Sequence, residues 1–333
     1  MEIKRSLDPR GQPTLKYRGI LNELAQRLLE GKILIFLGAG CNVDDEPALP
    51  TASALSRDMA DACSLEWHEY IPLSTIAFYY ESFNSRSELN RFLSEMLRRD
   101  DVPPSTTLQR LVAVIQMLEE RGLKTVIVTT NFDQQFEKAY RAATGRDVDV
   151  VVYNGGTDAN NAGAVLHPKI QFPDLWGPSQ ATTLYKMHGC ISAPESPGAN
   201  PPQEHNLVVT EEDYINFLSN ALSGTDWKKL VRYVLAQIAA STTLFIGYSL
   251  TDWNFRVVYK ATAERHFTRG YAVQLFTPTH GKEELDNARH QAAVQFWGTK
   301  KVDIVNIEAA TFVDDLHAAV IREIASHPAR ATA

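Results

Sequence analysis

The sequence predicts an α/β fold: a doubly wound, mostly parallel sheet with a helical insertion. Three observations carry this expectation. Short apolar runs alternate with amphipathic stretches along the 333 residues, the pattern of repeated βα units. The apolar runs read as buried strands, as the strands of a parallel sheet covered on both faces do. Four of them end abruptly in glycine or polar residues, as strands do where such a sheet opens into a crevice.

Residues 1–31 are expected to form an irregular arm and one helix. In that helix Ile20, Leu21, Leu24, Leu28 and Leu29 recur at helical spacing, and Gly31 stops it. The main body spans 32–326, and 327–333 reads as a flexible tail. Its first strand starts at Ile33 and delivers the turn Gly38-Ala39-Gly40. Asp44, Asp45 and Glu46 follow and are expected to point outward as a solvated loop, because three carboxylates would repel a phosphate. Residues 53–122 read as a helical insertion too long for a simple crossover. Its apolar stripes are Met59, Ala60 and Cys63; Leu89, Phe92, Leu93, Met96 and Leu97; and Leu108, Leu111, Val112, Ile115 and Leu118. Ile76, Phe78, Tyr79, Tyr80 and Phe83 form an apolar and aromatic cluster read as core.

Strands are then expected over 125–128, 148–153, 183–187, 243–246, 271–276 and 302–307. Helices fill 134–143, 226–239, 283–296 and 312–325, with others opening at Thr210 and near Asp252. Thr210 begins a capping-box pattern. Residues 154–181 and 193–206, rich in glycine, proline and asparagine, read as long loops. Asp252 and Arg256, four residues apart, are expected to pair across a helix start, and Trp253 to pack.

Net charge is −7, from 33 basic and 40 acidic side chains. With no basic run, this balance gives no footprint for nucleic acid. The apolar runs are too short to cross a bilayer, and the first nineteen residues lack a signal-peptide core. Cys41, Cys63 and Cys190 stand apart, with no Cys-x-x-Cys pair, which points to a reducing cytoplasm and away from disulfides or a cysteine-bound zinc.

The polar strand ends are Gly38-Ala39-Gly40, Thr129-Thr130-Asn131-Phe132-Asp133, His188-Gly189 and Gly247-Tyr248-Ser249. In a parallel sheet all four converge on one cleft at the carboxyl edge. A dehydrogenase fingerprint is disfavoured, because Val43 stands where a third small residue is needed, and no Gly-Lys-Ser/Thr phosphate loop occurs.

Together, and in this order, the four motifs resemble those of the sirtuin family, over roughly Ile33 to Arg256. Tyr185-Lys186-Met187-His188-Gly189 and the stretch from Phe245 to Arg256 look more like the sirtuin-like NAD hydrolases of bacterial antiphage defence than like protein deacylases. The resemblance implies a Rossmann-like fold and NAD as a substrate to be broken. Asn131 and His188 are then the catalytic pair. Gly38, Ala39, Gly40, Thr129, Asp133, Gly247 and Ser249 would hold NAD. A deacylase sirtuin carries four zinc cysteines after its His-Gly, and only Cys190 is near here, so no zinc is expected. Asn42 replaces the serine that often follows the glycine turn, and Ala48-Leu49-Pro50 replaces the family's Gly-Ile/Leu-Pro.

Residue chemistry agrees with this reading. Loss of nicotinamide leaves an oxocarbenium-like ribose carbon, so the site mainly has to place water and sugar. An asparagine can both donate and accept to them, and a histidine can take a proton near neutrality. The resemblance further implies a triggered NAD-depleting effector, self-assembly into a homo-oligomer, and a separate partner such as a HerA-like ATPase or an Argonaute-type protein. A protein deacylase, a cyclase and a silent NAD- or ADP-ribose-binding subunit remain as alternatives.

Overall fold

The structure is a computed structural model. It describes residues 2–4, 14–68, 70–154, 163–167, 182–191, 207–223, 234, 237–238, 240–250, 256, 259–260 and 267–326. Asp252, Trp253, loop 193–206, tail 327–333 and most of 154–181 and 226–239 lie outside the described residues.

In chain order the elements are β1 (Glu2–Lys4), α1 (Leu15–Leu29), β2 (Ile33–Leu37), α2 (Ala52–Ala62), α3 (Leu73–Phe83), α4 (Arg86–Leu97) and α5 (Thr106–Glu119). Then follow β3 (Val126–Thr129), α6 (Gln135–Thr144), β4 (Asp149–Asn154), β5 (Gly163–His167), β6 (Thr183–Lys186) and α7 (Glu211–Ser223). The chain continues with β7 (Thr242–Ile246), β8 (Arg269–Val273), α8 (Glu283–Thr299), β9 (Val302–Asn306) and α9 (Ala309–Ser326). One sheet has the order β1-β9-β8-β7-β2-β3-β6-β4-β5. All neighbours run parallel except the β4–β5 pair.

Alternation along β2 shows why the fold is doubly wound. Ile33, Ile35 and Leu37 face a core built with α1, α5, α6 and α9, while Leu34 and Phe36 face a second core that includes Phe217 of α7 and Trp297 of α8. Both faces are buried because each carries helices, which is why this strand is apolar throughout.

Five sequence expectations are corrected. Of the cluster expected as core, Ile76 and Tyr80 are buried, but Phe78, Tyr79 and Phe83 lie on the exposed side of α3. Residues 2–4 are a strand, not an irregular arm. β1 closes the sheet edge beside β9, and the Glu2 carboxylate accepts from Asn306 Nδ2 at 2.9 Å. Residues 163–167 within the expected long loop are β5, pairing from Val150↔His167 to Asn154↔Gly163. The helical block divides: α2, α3 and α4 make their own core with Ile191, Leu207 and Val209, whereas α5 packs in the main core as the crossover from β2 to β3. Asp44 and Asp45 turn to the start of α5, where their carboxylates accept from the Thr107 and Thr106 amides at 3.1 and 2.8 Å. Helix N-termini leave such amides unpaired and favour negative charge, so Asp44 is drawn part-way in at this helix start, while Asp45 and Glu46 stay exposed as expected.

Thr210 and Asp213 form the expected capping box: Asp213 N donates to Thr210 Oγ1 at 3.2 Å, and Thr210 N to Asp213 Oδ2 at 2.8 Å. Arg86 of α4 donates to the same Asp213 oxygen at 2.8 Å and to Leu207 O at 2.5 Å, tying the helical block to the segment that follows His188. Among the described residues no helix is long and apolar enough to cross a membrane.

Candidate functional site

From β2 the chain moves to β3 on one side and returns as β7 on the other. That reversal opens a crevice beyond the carboxyl ends of β2 and β7. Two turns form its floor. After Gly38, residues 39–41 make one turn of 3₁₀ helix, and Gly40 N donates to Gly247 O at 2.9 Å. Gly247 has φ +62°, and a Cβ there would lie 2.3 Å from Cys41 N. A Cβ on Gly38 would lie 2.5 Å from Gly247 O. Backbone rests on backbone, so both glycines are required by packing before any ligand is considered.

The next strand end is built by short polar bonds. Thr129 Oγ1 donates to Leu37 O at 3.1 Å and accepts from Asn131 N at 3.0 Å, which sets the turn carrying Asn131. Asn131 Nδ2 lies 3.7 Å from Cys41 Sγ, and burial pushes that thiol well above the usual cysteine range. Asp133 is buried; its carboxylate accepts from Asn42 Nδ2 at 3.0 Å and from Gln135 N at 2.9 Å at the start of α6.

β6 lies against β3 in register, Thr129 opposite Lys186. The pairing continues past both strands, with Met187 N donating to Thr129 O at 2.9 Å and Ile191 N to Phe132 O at 3.0 Å. His188 therefore sits beside the Asn131 turn. Its ring is buried, lies edge-on to Tyr214 with centroids 5.1 Å apart, and places Nδ1 3.5 Å from Tyr214 Oη. Gly189, with φ +90°, turns the chain directly afterwards.

Behind this surface lies a buried ion pair. Lys186 Nζ donates to the Asp133 carbonyl and, at 3.0 Å, to Glu137 Oε1. Burial opposes the lysine's charge, but Cys190, Glu137 and Asp133 around it hold its pKa above the ordinary value. Burial also raises the Glu137 carboxyl, whose Oε2 has no hydrogen-bond partner.

A cleft of 520 Å³ lies between these strand ends and the helical block, within the size range of small-molecule sites. Ala39, Gly40, Asn131, Asp133, His188, Gly247 and Ser249 line it from the sheet side. Across it lie Pro50 to Leu55 and Tyr70 to Ser74, excluding Ala54. A second chamber of 700 Å³ continues past Gly40 and Ser249 toward Val273, Phe276 and α8. Seven of the nine expected site residues thus meet in one cleft. Gly38 and Thr129 do not line it: Gly38 packs on the Gly247 turn, and Thr129 is held behind the wall by its bond to Leu37. Sequence reasoning missed Asn42 as the partner of Asp133, Tyr214 as the partner of His188, and Tyr70 and Arg289, which also line the cleft. In the sequence Asn42 stands out only as a departure from a motif; Tyr70 and Arg289 carry no sequence signal. Of the expected Asp252–Arg256 pair only Arg256 is described, and its guanidinium lies 4.6 Å over the Phe296 ring.

Glycine turns at the reversal of strand order, with polar side chains at neighbouring strand ends, define the class of doubly wound folds that take nucleotides at the switch point. A family model described as a SIR2-like domain matches residues 125–303, more than half of the chain, and the chain belongs to this family. Among solved structures it is similar to a Sir2 enzyme studied for mechanism and regulation, at 13% identity, TM-score 0.46, and coverage of 92% of this chain and 98% of that one. It is also similar to Sir2Af2 bound to a myristoylated histone peptide, at 12% identity and TM-score 0.43, over 92% of this chain and 98% of that one. A third similar structure is a Sir2 mutant with a p53 peptide and NAD, at 16% identity and TM-score 0.43, over 90% of this chain and 97% of that one. The search of curated proteins gives no match.

Proposed function

We propose that the chain is an NAD⁺ glycohydrolase that cleaves NAD⁺ to nicotinamide and ADP-ribose. The observation that carries this reading is the meeting of Asn131 and His188, from adjacent strand ends, in the cleft floored by Gly40 and Gly247. In this mechanism the glycine turns and Ser249 hold phosphate and ribose. Asn131, its backbone fixed by Thr129, places a ribose hydroxyl or the attacking water through its amide. His188 takes the proton from that oxygen, with the Tyr214 hydroxyl near its Nδ1 orienting the ring. Water then adds to the ribose carbon that nicotinamide has left, so the bond broken is the glycosidic C–N bond and the bond formed is C–O.

Hydrolysis is favoured over deacylation by the cysteine content: three cysteines cannot build a four-cysteine zinc module. Incubation of the purified chain with NAD⁺ alone, then with an acyl-lysine peptide, tests the choice. Nicotinamide and ADP-ribose without a peptide are the expected products. Turnover strictly dependent on the peptide would overturn it, and a cyclic product would redirect it. Asn131→Ala and His188→Ala should each lower turnover by roughly 10²-fold or more, the scale of a lost general base or positioning group. We extend the proposal to a triggered, NAD-depleting role in antiphage defence, with a homo-oligomer and a separate HerA-like ATPase or Argonaute-type partner releasing the activity. Turnover that rises when such a partner is added, in sized oligomeric fractions, is the test.

A further inference from the structure

Where the two chambers join, they share Gly40, Gly247, Tyr248, Ser249 and Arg289. Arg289 is the only lysine or arginine among the described residues lining either chamber. Three acids, Asp44, Asp286 and Glu308, line the larger chamber; Asp286 faces Arg289 electrostatically, and all three accept hydrogen bonds from other groups, Glu308 from the Thr311 hydroxyl at 3.4 Å. Asp44 accepts from the Thr107 amide, and Asp286 accepts from the Thr279 amide at 2.8 Å and the Tyr70 hydroxyl at 3.1 Å. Among the described lining residues the permanent positive charge thus sits at the junction, next to the glycine turns.

Arg289 is also mounted. Its guanidinium carbon lies 4.2 Å from the centroid of the Tyr70 ring. Tyr70 belongs to the segment between α2 and α3, and its hydroxyl bond to Asp286 fixes that ring against α8. A guanidinium stacked on an aromatic face is held by its own face, which leaves its N–H edge directed outward in a planar fork. That fork matches two oxygens of a phosphate.

Resting on the reading of this crevice as an NAD site, we propose that Arg289 binds the substrate's pyrophosphate, with Tyr70 of the helical block as its platform. A dinucleotide lying through both chambers has its two half-molecules in separate volumes and its doubly charged pyrophosphate at the junction. The glycine turns, which carry no side chains, let that group approach the floor closely while their own amides stay paired within the backbone, and Arg289 meets it from the α8 side. Substrate affinity is thereby linked to the seat of the helical block, because a block that shifts away carries Tyr70 with it.

The test is calorimetric titration of the full chain with ADP-ribose at two salt concentrations, for the wild type, Arg289→Ala, Arg289→Lys and Tyr70→Ala, each checked for an unchanged melting temperature. Arg289→Ala is expected to weaken binding about tenfold or more, the scale of a lost charge-assisted contact, and to lose most of the salt dependence. Arg289→Lys should recover part of the affinity and restore the salt dependence. Tyr70→Ala should weaken binding with the salt dependence kept. Wild-type affinity or an unchanged salt dependence in Arg289→Ala would overturn the assignment while leaving the NAD reading intact. Failure of the wild type to bind ADP-ribose or NAD⁺ would instead overturn the NAD reading, and this assignment with it.

Discussion

Lys186→Met strips the charge from a side chain that is 1% exposed, while its partner Glu137 is 17% exposed. Two groups lose their donor: the Glu137 carboxylate at 3.0 Å and the Asp133 carbonyl. Stranding one member of a buried ion pair costs about 3–5 kcal/mol, and the residual exposure of Glu137 argues for the lower figure. The unpaired carbonyl adds about 1 kcal/mol. The sum, about 4 kcal/mol, corresponds to a fall in Tm of roughly 6 °C for 333 residues at about 2.1 cal/mol/K each. The loss also has a pH signature. Glu137 already has its carboxyl raised by burial, and the variant removes the cation that opposes this. A carboxyl whose folded pKa exceeds its unfolded value stabilises the fold below the unfolded pKa, and that contribution is lost as pH rises through the folded pKa. The deficit should therefore shrink on acidification toward the ordinary carboxylate range and be full at neutral pH. Adding Glu137→Gln removes the stranded charge and should return about half of the loss. Thermal melts of the two single variants and the double variant, at neutral and mildly acidic pH, make the measurement. A Lys186→Met melt within about 1 kcal/mol of wild type, or a double variant no better than the single, would refute the argument.

Gly247→Ala should destabilise by more than about 3 kcal/mol or abolish folding, because it combines a left-handed φ, worth about 1–2 kcal/mol, with a backbone clash at 2.3 Å. Gly145→Ala, with φ +67° and open space around it, is the control and should cost only the conformational part, as chemical denaturation will show. Ser105→Ala should cost about 1–2 kcal/mol, since Ser105 both accepts from Leu108 N at 3.2 Å and donates to Cys41 O at 2.5 Å; urea titration checks this. In native protein, iodoacetamide should label the partly exposed Cys63 before Cys41, whose thiol burial holds far from ionisation; mass spectrometry of timed samples decides it, and early labelling of Cys41 contradicts the packing.

The fold class was legible because parallel strands buried on two faces have a distinctive local signature. The run from Ile33 to Leu37 is apolar without alternation, and so is Thr242–Ile246 apart from its leading threonines. The site was legible in part for a related reason: a parallel sheet sends every strand's carboxyl end to one edge, so Asn131 and His188 could be placed together without knowledge of any contact. Short and atypical elements were not legible. β1 has three residues and gains its strand conformation from β9, three hundred positions away. β5 lies in a stretch whose neighbours read as loop. Nothing local to Asp44 shows that it caps α5, whose Thr107 amide lies 63 positions on.

By itself, then, the sequence determined the strand–helix alternation, the polar strand ends and the capping box at Thr210, all of which depend on neighbours within a few residues. The tertiary structure alone decided which face of each strand meets which helices, and that Gly247 rests on the Gly40 turn. It also decided that Lys186 is neutralised by Glu137 and that Arg289 stacks on Tyr70 at the junction of two chambers. Those pairings join residues 49 to 219 positions apart. Their energies come from desolvation and close approach, which exist only once the chain has closed around them.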